Sequence, residues 1–376
     1  MKPSLLPVLN ALGVLDNPNR QLQPSSQPSS QPSSQSHSQP GSQPAPGDRR
    51  AMAYASSAQD VDERSLDDAL ASGLYAVNVT LGHVAGSDDP RAATERDIAG
   101  WDAFIGTHPQ LLKVGTGEDL ATARRDGRIG VIYGFQNTEM LGADVAAVDH
   151  FADLGVRVIQ LTYNGRNAVG CGATVPDDEG LSAFGAEVVE RLQQRRVLVD
   201  LSHSSERTCL DALGLATRPV AITHTGCRAI ADHPRNKSDT ELRLLAERGG
   251  VVGLYFMPYL RLSGQPHADD LIAHLEHAID ICGEDHVGLG SDGGSTHYDD
   301  MAAYRRHLEE EIALRRSLGI GAPGETADVW LFLPDLCGPD QYQRLARLLS
   351  ARGHRAARIE KILHGNFRRL MTETWE

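Results

Sequence analysis

Two stretches of this chain end in histidine after apolar, β-branched runs: Val197-Leu198-Val199-Asp200-Leu201-Ser202-His203 and Val220-Ala221-Ile222-Thr223-His224. Each run reads as a strand, and a helix-like stretch, 206–216, separates them. In a parallel α/β fold successive strands point the same way, so both imidazoles arrive at one rim. Two neutral imidazoles converging there are the beginning of a zinc site. A carboxylate, Asp292, ends a further run in Gly288-Leu289-Gly290-Ser291-Asp292-Gly293. In such company an aspartate often makes an Asx turn or caps a helix. At a strand end facing two histidines it would instead ligate the metal or take a proton from water. Arg235, in His233-Pro234-Arg235-Asn236-Lys237-Ser238, follows the second histidine run. Its plain reading is a solvated residue before a helix capped by Ser238. Its chemical reading is a clamp for a carboxylate, which the guanidinium fork fits.

The elements that must position these groups alternate along the chain. Strand-like runs occupy 5–12, 74–80, 130–137, 156–164, 197–203, 219–226, 250–258 and 286–293. Helical patterns lie between them, among them 183–194 with Ser182 as N-cap, 206–216, 239–248 and 269–282. Eight β-α alternations predict a closed (β/α)8 TIM barrel. An open doubly wound sheet is the alternative, but no GxGxxG follows the first strand. Chemistry in a barrel sits where strands end. Here those ends carry Gln136, Asn137, Tyr163, Asn164, His203, His224, Met257 and Asp292. The tail 339–376 reads as helices packed outside the barrel.

The bulk numbers restrict the partners. The chain has 376 residues and a formal net charge of -14, which argues against nucleic acid, whose phosphates need a basic face. Five cysteines form no CxxC pair and no even framework, so a reducing compartment is expected. Cys227, three residues past His224, reads as a buried thiol rather than a ligand. His274 and His277 read as solvated helix residues beside Glu276. Residues 23–46 are rich in Ser, Gln and Pro, with a repeated Gln-Pro-Ser-Ser. That composition buries no apolar surface, so a disordered surface insertion is expected there. Residues 1–22 would carry the first strand, and 47–376 the remainder of one domain. No apolar stretch reaches membrane-spanning length. The N-terminus shows no secretory pattern, so the expected location is cytoplasmic.

As an ordered set, Val199-Asp200-Leu201-Ser202-His203-Ser204, Ile222-Thr223-His224, Pro234-Arg235-Asn236, Gly290-Ser291-Asp292 and Gly365-Asn366-Phe367 resemble the renal (membrane) dipeptidase family of metallopeptidases. The resemblance implies an amidohydrolase-like (β/α)8 barrel with two zinc ions. It implies hydrolysis of dipeptides, some with a C-terminal D-residue, and a homodimer. By position, His203 and His224 match the two histidines of one zinc. Asp292 matches the aspartate that handles the water proton, and Arg235 the arginine that binds the terminal carboxylate. The departures are at the other zinc. The family's first strand ends in a His-x-Asp pair, where this chain has Leu12 and Val14. Its bridging glutamate corresponds to Gln136, with Glu139 the nearest carboxylate, able to substitute only if its loop folds back. Its carbonyl-polarising histidine corresponds to Tyr163, and its substrate tyrosine to Met257. The expectation is a divergent member with a reduced centre: His203, His224 and Gln136 or Asp292 around one zinc, with two as the alternative. Asp292 and Tyr163 would be catalytic, and Arg235, Tyr163 and Asn164 would bind a small amide or dipeptide through its free carboxylate. An amidase, a lactonase or a non-catalytic binding barrel are the alternative functions.

Overall fold

The computed structural model describes residues 5–22 and 57–376. The expected insertion at 23–46 lies outside the described residues. The strands are β1 (Val8–Asn10), β2 (Leu74–Thr80), β3 (Leu111–Val114), β4 (Ile129–Phe135), β5 (Val156–Gln160), β6 (Leu198–Asp200), β7 (Ala221–Thr225), β8 (Val251–Leu254) and β9 (Val287–Leu289). All pairings are parallel, in the order β1-β2-β4-β5-β6-β7-β8-β9. The two ends of that path meet. Ala11 N donates to Leu289 O at 2.9 Å and Asp292 N to Leu12 O at 3.0 Å. The result is a nearly closed eight-strand parallel barrel, as the alternation predicted.

One strand was not expected. β3 pairs with the first half of β4, Leu111 opposite Ile129 through Val114 opposite Ile132, and lies off the ring. It is four residues long and contains Lys113, so its sequence carries little apolar periodicity. The helices obey local capping chemistry. Ser182, Ser205 and Ser238 each accept a backbone N–H at a helix start, and Ser238 forms a reciprocal box with Glu241.

Two glycines are needed because backbones approach closely. A Cβ at Gly253 would lie 2.0 Å from Thr223 O, and one at Gly290 only 1.9 Å from the same atom. No side chain fits there, and this crowding brings the ends of β7, β8 and β9 to one point.

The tail does more than pack outside. Its last helix, Asn366–Trp375, sends Phe367, Leu370, Met371 and Trp375 into a cluster with Leu9, Ala76, Ile132, Val158, Leu198, Ala221 and Val251 from the strands. Each large apolar side chain buried this way contributes roughly 1.5–3 kcal/mol. Asn366 fixes the plug by donating to Glu284 O and Val287 O, both at 2.8 Å. The opposite end, where strands β1 to β9 run out, is covered by the helix Met301–Ser317 and the loop after it. Tyr304, Leu308 and Ile312 pack there against Tyr298, Trp330 and Phe332.

Candidate active site

A cavity of about 260 Å³ opens under that cap, lined on the barrel side by Leu12, Gln136, Tyr163, His203, Arg235 and Asp292. His203 lies three residues past β6, and His224 lies within β7. Their Nε2 atoms are 3.0 Å apart. Both rings are buried. Burial first, then the neighbouring Arg235 guanidinium, holds both imidazoles well below their usual pKa, so both are neutral.

The outer atoms of the two rings decide which nitrogen carries the proton. His203 Nδ1 is 2.7 Å from Asn164 Oδ1. The amide of Asn164 cannot be turned over, because its Nδ2 donates to Ile320 O at 2.7 Å. Oδ1 is therefore an acceptor, and His203 carries its hydrogen on Nδ1. His224 Nδ1 is 2.9 Å from Thr223 Oγ1, which donates its own proton to Asp200 Oδ2 at 2.6 Å. His224 then also donates from Nδ1. Both Nε2 lone pairs face the same point.

Asp200 is fully enclosed. It accepts from Ser202 N and Oγ and from Thr223 N and Oγ1. Burial pushes its pKa up, and these four donors oppose that shift.

Asp292 opens onto the cavity from a left-handed backbone, φ 58°. Its turn is strapped to the end of β1: Asn10 Oδ1 accepts from Ser291 N at 2.8 Å and Asn10 Nδ2 donates to Ser291 Oγ at 2.8 Å. Burial lifts the Asp292 carboxyl to about 7, against the pull of Arg235 and Arg315. Arg235 is buried and donates from Nη1 to Ser202 O at 2.8 Å. The Tyr163 ring stacks on His203 with centroids 4.1 Å apart, and burial raises its pKa, so the phenol stays protonated.

Comparison with known proteins fits this geometry. A family model described as Membrane dipeptidase (Peptidase family M19) matches residues 55–319. The chain belongs to the membrane dipeptidase family. An uncharacterised dipeptidase of Schizosaccharomyces pombe is 35% identical over 181 residues, 46% of this chain and 43% of that protein. Dipeptidase verJ of Clonostachys rogersoniana is 31% identical over 179 residues, 47% of this chain and 46% of that protein. The chain spans less than half the length of these two relatives. The crystal structure of an amidohydrolase from Pseudomonas aeruginosa superposes with a TM-score of 0.75 at 25% identity, covering 98% of this chain and 96% of that one.

Against a dipeptidase metal centre the residues give a divided answer. The imidazole pair suits one ion. Two nitrogens on a tetrahedral zinc stand about 3.3 Å apart, close to the separation seen here. Leu12 and Val14 both line the cavity, and neither side chain can coordinate. Among the described residues no group of three His, Cys, Asp or Glu side chains could hold a metal. Gln136 reaches the cavity, but its Nε2 donates to Thr80 Oγ1 at 2.6 Å. Glu139 is not a substitute: its carboxylate sits 2.7 Å from His83 Nε2, in a contact outside the cavity lining.

Other sequence readings fare unevenly. Cys227 is buried, with its thiol 3.4 Å from His274 O, and does not line the cavity. His274 is not solvated. It is fully buried, accepting from Cys227 N and lying 3.0 Å from Leu260 O, and burial lowers its pKa to about 4. His277 pairs with Asp239 at 2.7 Å. The sequence reading missed the cap's charges altogether. Arg315 and Glu325, 3.3 Å apart and both nearly buried, line the cavity, and Tyr259 donates to Glu325 Oε1 at 2.7 Å. No motif surrounds them, because the helix and loop that carry them acquire their place only through packing on the barrel. Among the described residues no helix is long and apolar enough to cross a membrane.

Proposed function

We propose that this dipeptidase-family chain hydrolyses a small dipeptide or related amide with a free carboxylate, using a reduced centre of one zinc ion. The observation that carries the reading is the convergence of the His203 and His224 Nε2 lone pairs, each aimed by an acceptor at Nδ1. His203 and His224 would hold the ion, with Gln136 as a further oxygen donor. When bound, zinc supplies Lewis acidity at the cavity floor.

The chain's own groups do the rest. Arg235 binds the substrate's carboxylate and so places the scissile amide. Asp292, titrating about 7, takes a proton from the attacking water and returns it to the leaving amine. Tyr163 keeps its proton and donates a hydrogen bond to the carbonyl oxygen as negative charge develops there. The cap formed by Met301–Ser317 and the loop after it excludes bulk water.

A metal count on the purified protein, with a panel of L,L- and L,D-dipeptides, tests this. The expected result is one zinc per chain, with hydrolysis lost together with zinc in His203→Ala. Full activity in His203→Ala would overturn it. One observation favours a second reading, a binding barrel without hydrolysis: no third His, Cys, Asp or Glu joins the imidazole pair among the described residues. No zinc uptake and no hydrolysis after zinc addition would support that reading.

A further inference from the structure

Asn164 was expected to touch substrate, yet its amide is engaged at both ends within the protein. It is buried, its Oδ1 meets His203 Nδ1, and its Nδ2 meets Ile320 O. Ile320 lies in the cap, one residue beyond the span that matches the dipeptidase model. The same loop is held by Ile320 N donating to Arg315 O at 3.0 Å, by Arg316 Nη2 donating to Glu325 O at 2.7 Å, and by His233 Nε2 at 2.9 Å from Pro323 O.

We propose that Asn164 is a positioning residue that fixes the tautomer of His203 and ties this zinc ligand to the cap. Without an acceptor at Nδ1, His203 would be free to place its hydrogen on Nε2. In the ion-free protein that choice is favoured, because Nε2–H would satisfy the lone pair of His224 3.0 Å away. A hydrogen on Nε2 blocks ligation. Asn164 opposes this by giving Nδ1 an acceptor of its own, the amide oxygen 2.7 Å away, closer than the 3.0 Å contact at Nε2. The Ile320 carbonyl, in turn, keeps the amide from turning over. Placement of the cap and readiness of His203 for the ion are therefore one equilibrium. The Thr223–Asp200 pair serves His224 in the same way but has no link to the cap. Outer partners of metal-bound histidines typically change metal affinity about 10- to 100-fold when removed.

This inference rests on the one-zinc reading above, and two measurements separate their failures. The first is the tautomer of His203 in metal-free protein, read from its ring nitrogen shifts by NMR. The expected wild-type signature is a protonated Nδ1 and a bare Nε2 on His203. Asn164→Leu should move the hydrogen of His203 to Nε2. The second is zinc affinity by chelator competition, with the visible spectrum of the Co2+ form as a check on ligand geometry. Asn164→Leu should lose about 10- to 100-fold in affinity and change the cobalt spectrum. Asn164→Asp keeps the acceptor and loses the donor to Ile320. It should hold zinc within a few-fold of wild type while residues 318–326 are cut faster by protease. If zinc binds and Asn164→Leu changes neither affinity nor spectrum, or Asn164→Asp falls as far as Asn164→Leu, the positioning role is wrong and the one-zinc reading stands. If the wild type takes up no zinc while His203 keeps its Nδ1 hydrogen, the one-zinc reading is wrong and the positioning of the ring stands.

Discussion

The Asp292 carboxyl is held at a cost in stability, and removing its charge should reveal it. Its pKa moves from 3.8 to about 7, chiefly through burial. The folded state therefore binds this proton more tightly than the unfolded chain does. Stability is unaffected by the group below the unfolded value, falls as pH rises through the interval, and reaches its full loss above about 7. At about 1.36 kcal/mol per pH unit, that interval sets an upper limit of about 4 kcal/mol. The side chain is only half-buried and opens onto the cavity, so water screens part of this, and roughly 1–3 kcal/mol is expected. Asparagine is neutral, nearly the same shape, and tolerates the left-handed backbone found here. The substitution Asp292→Asn should therefore raise the thermal midpoint of metal-free protein at a pH of about 8.5, by roughly 1–4 °C for a chain of this size. The gain should vanish below a pH of about 4, where both states of the wild-type group are protonated. Hydrolysis should be lost in the same variant. Thermal melts of both proteins in chelator, at pH values of about 4, 6, 7 and 8.5 that bracket the interval, give the answer. A variant less stable than wild type at the highest pH, or a difference that does not vary with pH, would refute the argument that burial raises this carboxyl.

Arg235→Lys keeps the charge and loses the fork, so KM for a dipeptide should rise about 10- to 100-fold, while the corresponding dipeptide amide is unaffected; an equal change for both substrates would remove Arg235 from carboxylate binding. The triple variant Leu12→His, Val14→Asp, Gln136→Glu supplies donors at cavity positions that now lack them. Its zinc content should rise from one to two per chain, and a count fixed at one would show that these positions do not face a second ion.

The (β/α)8 pattern was readable because the ring strands are short apolar runs and several helices begin with their own cap, as at Ser182 and Ser238. β3 was not, because four residues with one lysine carry no distinctive period. The plug at the barrel's base was misplaced for a different reason. An amphipathic helix announces that it buries a face, but not against what, and only the packing of Phe367 and Trp375 on the strand interiors decides it.

At the site, the sequence by itself determined the chemical types: two histidines at consecutive strand ends, an aspartate in a glycine turn, an arginine after β7, and two aliphatic residues after β1. Parallel strand direction alone puts these at one rim. The tertiary structure decided what each group is doing. It brought Ile320 across 156 residues to Asn164, and so fixed the ring nitrogen that His203 presents. It closed the cavity with Arg315 and Glu325, and it lifted Asp292 towards neutrality. The reason is physical. Residue type and strand order are local properties of the chain, whereas tautomer, burial and field depend on which distant atoms lie within a few ångströms, and that is set only when the chain has packed.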